Sequence, residues 1–412
     1  MASTTKRELE GRVDTQIVLK KKRCTINGCR LNMGHIHEFF TRKLLKEVAM
    51  ELRSICDENC FSFIKLNRLT VLNSNATDRY SFSKAFCSIS ENDDEHSFGC
   101  LFKKGLRILI KYLDMQEMPS NAQERHVLDT LLHFILKMTN EDAQAPFQAL
   151  EGLGETDINI ILTNHLFGKL STSSSFLIDK QYKAKGKTMG SCPCLNPECK
   201  STGRFGDTGI GNPSVWHGNV GVIDNNEVVV EALEDEPDSE SPERTPKEVK
   251  IKSACLSRNS QMIAETVVFS FLQKKRHPEY CQYLFPCIGV NSQEMVVYFY
   301  DAEYDVLLES SPIPLHVTQK SLTGNVSVVA IIVSWLVVNH QYLCDGLTQV
   351  LKKTRSGFFH QAEKRLFIYE NELQFGNIER PCPKPKKRFS LVSDPSMKEI
   401  EEERFEVTLK KI

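Results

Sequence analysis

The chain has 412 residues, of which 41% are hydrophobic, and a formal net charge of −1. This length and apolar content suffice for a sizeable core and for about two domains. The balanced charge excludes a global field that would attract nucleic acid or an anionic membrane, so either role would require a local patch.

The N-terminal sequence predicts no secretory signal peptide. Residues 1–30 are polar and basic, which predicts disorder, and residues 1–23 lack the apolar segment of a secretory signal peptide. We therefore expect an intracellular protein, cytoplasmic or nuclear, with most of its 14 cysteines reduced. The longest apolar run, 326–338, is shorter than the roughly 20 residues of a membrane span, which predicts a buried core element and no transmembrane segment.

The N-terminal part of the chain, 31–170, is predicted to be mainly helical. Apolar residues recur there at helical spacing in four segments: 35–56, 98–113, 126–138 and 157–170. The following stretch, 171–204, is rich in Cys, Gly and Ser and is typical of a linker.

A second domain, 205–350, is predicted to have an α/β fold in which a mixed sheet is flanked by helices. Its predicted elements are a hairpin at 216–231, a helix at 260–275 and strands within 281–290 and 294–310. Residues 232–248 have low hydrophobicity and dense charge, so we expect a disordered acidic insertion there. A C-terminal element at 351–380 precedes a charged tail, 381–412, that is also predicted to be disordered.

The hairpin sequence "WHGNVGVIDNNEVVVE" (216–231) ends on the carboxylate of Glu231. Metal-dependent nucleases hold Mg²⁺ with carboxylates on adjacent strands, and the ion lowers the pKa of a bound water. A lysine commonly stabilises the charge that develops during hydrolysis.

The hairpin resembles the PD-(D/E)XK, or restriction-endonuclease-like, superfamily, especially animal members whose first strand reads "HGxxD". The resemblance spans 205–345 and rests on "WHG", an apolar strand, "VVVE" and a helix that opens with Gln261. It implies a metal-dependent phosphodiesterase fold in which Glu231 is a metal ligand and Gln261 a helix residue of the site. The Asp of the pattern is replaced by Gly221 and the Lys by Leu233, which indicates a pseudo-enzyme.

Other residues could substitute for the missing ones. Asp224 is a second metal-ligand hypothesis, although strand geometry places it about 10 Å along from Glu231, and it is also a typical turn former. Lys250 and Lys252 could be migrated catalytic lysines or a solvated basic strand edge.

Three further interpretations stay open at this stage. Glu231 is either a vestigial active-site carboxylate or the entrance to a charged loop. Gln261 is either a site residue or a first-turn helix residue whose side chain bonds the backbone. His217 could contact phosphate or could be a packed, hydrogen-bonded histidine.

Three cysteines, Cys192, Cys194 and Cys199, lie within eight residues in "CPCLNPEC". Tetrahedral Zn²⁺ requires four thiolate or imidazole ligands, so a structural zinc site needs one more. We considered four residues for this role: Cys24, Cys29, Cys255 and His217. The alternative is a set of free thiols in a flexible loop.

Short basic runs lie near both ends of the chain. The C-terminal run comprises Lys384, Lys386, Lys387 and Arg388, and the N-terminal run spans 20–23. Such runs can act as nuclear localisation signals or phosphate-binding arms, or can simply keep the chain in solution.

Three functional hypotheses follow from the sequence. The first is a non-catalytic, nuclease-like binding module for a protein or a nucleic acid, with no resident cofactor. The second is an active Mg²⁺-dependent nuclease with a rearranged site built on Glu231. The third is a structural interaction protein that binds partners through its N-terminal helices.

Overall fold

A ten-stranded mixed sheet lies at the centre of the protein. The computed structural model describes residues 42–49, 64–148, 150–173, 175–180, 191–194, 196–224, 227–233, 255–321 and 324–378. In chain order the strands are β1 (Lys65–Ser74), β2 (Cys87–Ser97), β3 (Phe176–Asp179), β4 (Arg204–Gly206), β5 (Gly209–Gly211), β6 (His217–Asn219), β7 (Val222–Asp224), β8 (Val228–Ala232), β9 (Leu284–Val290), β10 (Glu294–Asp301), β11 (Val306–Ser310), β12 (Ile313–Pro314), β13 (His316–Ser321), β14 (Gly324–Val326) and β15 (Gln374–Phe375).

The strand order in the large sheet is β2-β1-β11-β10-β9-β8-β7-β3-β4, with β12 beside β10. The pairs β8–β9 and β3–β4 are parallel, and the other neighbours are antiparallel. Two small sheets, β13-β14 and β15-β5-β6, complete the strand pairing. Because parallel neighbours need a crossover, β8 and β9 are joined through a long helix.

That crossover helix is one of several that cover the sheet. The helices are α1 (42–49), α2 (Lys103–Met115), α3 (Ala122–Lys137), α4 (Glu141–Gln148), α5 (Glu155–Leu162), α6 (Gly168–Leu170), α7 (Ser260–Arg276), α8 (Val328–Val338), α9 (His340–Leu343), α10 (Phe358–Gln361) and α11 (Leu366–Asn371). A π-helical turn, Thr163–Phe167, joins α5 to α6. The Asn259 side chain caps α7 by accepting hydrogen bonds from the backbone N–H groups of Gln261 and Met262.

The two faces of the sheet contribute to two apolar cores, because successive side chains of a strand point to opposite faces. In β10, Met295, Val297 and Phe299 belong to a first core with α2, α3 and α8. The intervening residues Val296, Tyr298 and Tyr300 belong to a second core with α7 and α11. Nearly every strand between the sheet edges is therefore buried on both sides.

The mixed α/β class predicted from the sequence is confirmed. The four helical segments predicted within 31–170 leave out 65–97, and the structure has two strands there that the sequence did not predict, β1 and β2, which extend the sheet past β11. The physical reason is that β2 is an edge strand with the polar sequence "CSISENDDEHS", so it lacks the apolar alternation of a strand with a buried face. Residues 171–204, predicted as a linker, include β3, which pairs with β7.

The apolar run 326–338 forms α8, an 11-residue helix that is buried almost throughout. Among the described residues, no helix combines the length and the apolarity that crossing a membrane requires. The predicted disordered segments, 1–30, most of 232–248 and 381–412, lie outside the described residues, as do Lys384, Lys386, Lys387 and Arg388.

Candidate functional site

The hairpin of β7 and β8 places Gly221 opposite Glu231. The strand register pairs Val222 with Val230 and Asp224 with Val228, which is the three-residue turn considered from the sequence. The backbone N–H of Gly221 donates a hydrogen bond to Oε2 of Glu231. A backbone amide therefore occupies the place where the nuclease pattern would supply a second carboxylate.

The space beside Gly221 is filled by Asn159 of α5. A Cβ atom added to Gly221 would collide with Nδ2 of Asn159 and would lie 3.1 Å from Oε2 of Glu231. Asn159 is fully buried, and within the described chain its side-chain amide makes no hydrogen bond. The site thus has no room for an aspartate at 221 unless α5 or the Asn159 side chain moves.

Glu231 faces a second carboxyl group on α7. Burial raises the pKa of Glu265 well above its usual range, and the nearby charge of Glu231 raises it further. Gln261, one helical turn earlier, donates from Nε2 to Oε1 of Glu265 at 2.9 Å. The structure therefore brings Glu231 and Gln261 together around Glu265, a residue that the sequence interpretation missed although it lies at i+4 from Gln261.

Asp224 does not belong to this group. It is fully buried and alternates with Val222 and pairs with Val228, both of which face the first core. Glu231 alternates with Val229, which faces the second core. The two carboxylates point to opposite faces of the sheet, so the hypothesis of a metal ion shared by Glu231 and Asp224 is wrong.

The remaining residues predicted for the acidic site do not join Glu231 in the described part of the chain. Leu233, at the position of the expected lysine, donates its backbone N–H to Val290 and packs its side chain against the second core. Lys250 and Lys252 lie outside the described residues. His217 is half-buried on β6, and its Nδ1 atom lies 2.8 Å from the carbonyl oxygen of Val215, as in a packed histidine.

A separate cluster forms around the three cysteines. The ligand atoms of His165, Cys192, Cys194 and Cys199 all lie within 4.8 Å of one another, so the cluster could hold a metal ion. Nε2 of His165 lies 3.3 Å from Sγ of Cys192 and 3.6 Å from Sγ of Cys199. A tetrahedral ion with bonds of about 2.3 Å to sulfur and about 2.05 Å to nitrogen implies N–S edges of about 3.6 Å, in agreement with these distances.

Local structure holds these four residues in place. The π-helical turn carries His165, and wide helical turns of this kind are frequent at functional sites. The cysteine loop is closed by a hydrogen bond from the backbone N–H of Cys192 to the carbonyl of Cys199 and by the bridge between Ser191 and Lys200.

Asn164 fixes the loop against the π-helical turn. Its Oδ1 accepts hydrogen bonds from both the backbone and the hydroxyl of Thr202 at 3.1 Å, and its Nδ2 lies 3.7 Å from Sγ of Cys199. Such contacts behind the ligand atoms orient the donors of a metal site.

The electrostatics suit a divalent cation. Burial, with a smaller effect from Lys169, lowers the pKa of His165 to about 4, so its imidazole is neutral and able to coordinate at neutral pH. Burial raises the pKa of the Cys192 thiol to about 12. A cation would have to displace thiol protons on binding, as metal sites built from cysteine do.

His165 is the ligand that the sequence interpretation missed. Of the residues considered for the fourth position, Cys24 and Cys29 lie outside the described residues, and neither Cys255 nor His217 belongs to the cluster. His165 lies 27 residues before Cys192, so only the packing of α5 and α6 against the cysteine loop brings it near.

Comparison of the chain with protein-family models, with curated proteins and with solved structures found no match.

Proposed function

We propose that this protein is a nuclease-like, non-catalytic binding module. The observation that carries the proposal is the environment of Gly221, where a backbone N–H faces Glu231 and Asn159 fills the space a ligand side chain would need. In this proposal the hairpin is similar to that of the PD-(D/E)XK superfamily. The module binds a protein or a nucleic acid.

The chemistry of the site supports binding over hydrolysis. A metal-dependent nuclease needs ionised carboxylates that share a cation, together with an open position for water. Here burial, and then the charge of Glu231, raise the pKa of Glu265, which favours its protonated form, and a protonated carboxyl group is a poorer ligand for Mg²⁺ than a carboxylate. The side chain at 233 is a leucine packed against the second core.

The second candidate is a Mg²⁺-dependent nuclease with a rearranged site. The observation in its favour is that Glu265 approaches Glu231 from α7, which supplies the two carboxyl groups that the hairpin alone lacks. In that arrangement Glu231 and Glu265 would bind the ion, Gln261 would orient Glu265, and Lys250 or Lys252 would stabilise developing charge.

A nuclease assay separates these two candidates. Labelled DNA and RNA are incubated with the full chain and Mg²⁺ or Mn²⁺, then with EDTA, alongside Glu231→Ala and the exposed control Glu303→Ala. We expect no metal-dependent cleavage by any of the three. Cleavage that requires metal and is lost only in Glu231→Ala would overturn the non-catalytic proposal.

The same preparations test for nucleic-acid binding. Affinity that falls steeply as salt rises, without cleavage, would identify a nucleic-acid partner. The third hypothesis, binding through the N-terminal helices, gains little support, because the exposed large hydrophobic residues described on α2–α6 are Met115 and Leu136. An intracellular location, cytoplasmic or nuclear, is consistent with the free thiols of the described cysteines.

We further propose that His165, Cys192, Cys194 and Cys199 form a structural Zn²⁺ centre. Three thiolates and one imidazole are a donor set that zinc prefers, and four protein ligands leave no open position for catalysis. Three thiolates and Zn²⁺ together carry a charge of −1, and the positive charge of Lys169 lies nearby. Burial raises the pKa of Cys199, and Lys169 opposes that rise with a smaller effect.

Metal analysis tests this centre. The purified chain should contain one equivalent of zinc, and replacement by Co²⁺ should give the intense absorption of a tetrahedral thiolate site. Cys199→Ser should lose the metal, whereas Cys281→Ser, which removes an exposed free thiol, should retain it. A wild-type chain that takes up neither zinc nor cobalt would contradict the assignment.

A further inference from the structure

A cavity of about 450 Å³ lies beside the cysteine cluster, between α3 and the segment that carries His165. This size is within the range of cavities that hold small organic ligands. Its lining residues are His126, Asp129, Thr130, His133, Lys137 and Lys169 on the polar side, His165 at the cysteine cluster, and Phe134, Met138 and Ala143 on the apolar side.

The polar lining follows one face of α3. His126, Thr130, His133 and Lys137 are spaced by three or four residues, so their side chains share one side of the helix. Over these residues the helix rises about 16 Å. Nδ1 of His133 lies 2.8 Å from the carbonyl oxygen of Asp129, which leaves Nε2 available to a ligand.

Two lysines of the cavity wall have no ion-pair partner among the described residues. Two of the three lysines on the neighbouring helix α2 are paired, with Lys104 2.9 Å from Glu124 and Lys111 2.7 Å from Glu117. Lys137 and Lys169 are exposed, and neither forms a salt bridge within the described chain. The cavity wall therefore carries two lysine charges against the one carboxylate of Asp129, which leaves a net positive charge that an anion could neutralise.

The apolar side of the cavity restricts the kind of anion. Phe134 and Met138, at the C-terminal end of α3, are packed mainly into the first core, and part of each side chain lines the cavity. A small hydrated ion would leave this surface without a partner, whereas a molecule with a planar or apolar body would cover it. A ligand with one anionic end and one apolar end matches both parts of the wall.

We propose that this cavity binds a small phosphate-bearing molecule with a planar body, of the size of a mononucleotide. Its phosphate would lie between Lys137 and Lys169, with His133 as a hydrogen-bond partner, and its body would pack on Phe134 and Met138. Asp129 and Thr130 offer acceptors for hydroxyl or amino groups of the body. The inference stands independently of the nuclease-like proposal. It shares two residues with the proposed metal centre, the ligand His165 and the nearby Lys169.

Calorimetric titration of the full chain with AMP tests the proposal, with adenosine and inorganic phosphate as the two halves of the probe. We expect AMP to bind at least about tenfold more tightly than either half, because only AMP contacts both sides of the cavity. Loss of a charge-assisted hydrogen bond in Lys137→Ala or Lys169→Ala should weaken AMP binding about tenfold or more.

The matched control is Lys111→Ala, which removes an equally exposed lysine from the neighbouring α2. It should leave AMP binding unchanged. Equal binding of AMP and adenosine, or equal weakening in all three lysine variants, would overturn the proposal. Zinc content is measured in each preparation, so that weaker AMP binding caused by loss of the metal can be recognised. Lys137 lies on α3 and is not one of the residues proposed to hold the metal, so Lys137→Ala should retain zinc.

Discussion

The residues that surround Gly221 leave no space for a side chain at this position. Its backbone N–H binds Glu231 and its Cα faces the buried amide of Asn159, so even a methyl group at 221 has no free volume. The glycine at 221 and the asparagine at 159 therefore depend on each other in the packing of this site.

Replacement of Gly221 tests that arrangement. We expect Gly221→Ala to lower the free energy of unfolding by about 1–3 kcal/mol, the range for overpacking a tight interior. In Asn159→Ala the same replacement should cost less, because the colliding amide is gone, so the two changes should couple by about 0.5 kcal/mol or more. Urea denaturation of the four proteins measures this coupling.

Gly289→Ala on β9 is the matched control, because an added Cβ there would meet only the flexible side chain of Met262 at ordinary contact distance, 3.4–3.6 Å. It should change stability by less than about 1 kcal/mol. Additive effects of Gly221→Ala and Asn159→Ala would show that the two residues do not compete for the same space.

Glu265 makes stability depend on pH in a defined direction. Since burial and Glu231 raise its pKa, the folded protein keeps a proton that the unfolded chain releases above its ordinary pKa. The stabilisation is thus fully present below the ordinary pKa of a glutamate and is lost as pH rises from there through the raised pKa of Glu265.

Glu265→Gln should remove this decline, because glutamine preserves the shape and the hydrogen bond from Gln261 without titrating. We expect the variant to be more stable than wild type by about 1 kcal/mol or more at pH 8, with the difference shrinking toward pH 5. Denaturation midpoints between pH 5 and pH 8 provide the measurement. A parallel pH dependence in both proteins would contradict the assignment, and the exposed Glu303→Gln serves as a control.

At the scale of elements, the cysteine loop and the π-helical turn are held together by few contacts apart from the proposed metal. The loop packs through Asn164 and the four ligand side chains, and a cation would cross-link segments that are 27 residues or more apart. A bound metal stabilises the folded state by mass action, by about 2.7 kcal/mol when its free concentration exceeds its Kd a hundredfold.

Removal of the metal by a strong chelator should therefore lower the thermal midpoint of the wild-type protein by several degrees. Cys199→Ser should begin at the lower midpoint and show no further change with chelator, whereas Cys281→Ser should respond like wild type. Differential scanning calorimetry measures all three. A chelator that leaves the wild-type midpoint unchanged after zinc release would show that the centre adds no stability.

Elements with strong apolar periodicity could be predicted from the sequence, and elements whose identity depends on a partner strand could not. The run 260–275 is apolar on most faces and capped by Asn259, and it forms α7 as predicted. The edge strand β2 is polar along much of its length and is a strand only because β1 pairs with it. Likewise, the spacing of Cys192, Cys194 and Cys199 indicates a possible metal site in the sequence. His165 could not be predicted as part of it, because only tertiary packing brings His165 near the cysteines.

At the scale of the whole molecule, two regions that the sequence suggested as separate domains contribute strands to the same central sheet. The strand β1, from the N-terminal region, pairs with β11 of the predicted second domain, and β2 pairs with the other edge of β1. Each central strand contributes side chains to both cores, so separating either layer of helices would expose apolar surface of the shared sheet. The described part of residues 42–412 accordingly belongs to one compact unit.

The two tryptophans of the chain can show whether the two cores unfold together, because each is fully buried in a different core. Trp335 lies in the first core and donates to the carbonyl of Val127, and Trp216 lies in the second and donates to Asn75. In Trp216→Phe, fluorescence reports only the first core, and in Trp335→Phe only the second. In each variant we expect the urea transition seen by fluorescence to coincide with that seen by far-ultraviolet circular dichroism, since one sheet serves both cores. Because each comparison is made within one variant, any destabilisation by the substitution itself cancels. Fluorescence and dichroism midpoints that differ within a variant would show that the two cores unfold separately and that the sheet does not couple them.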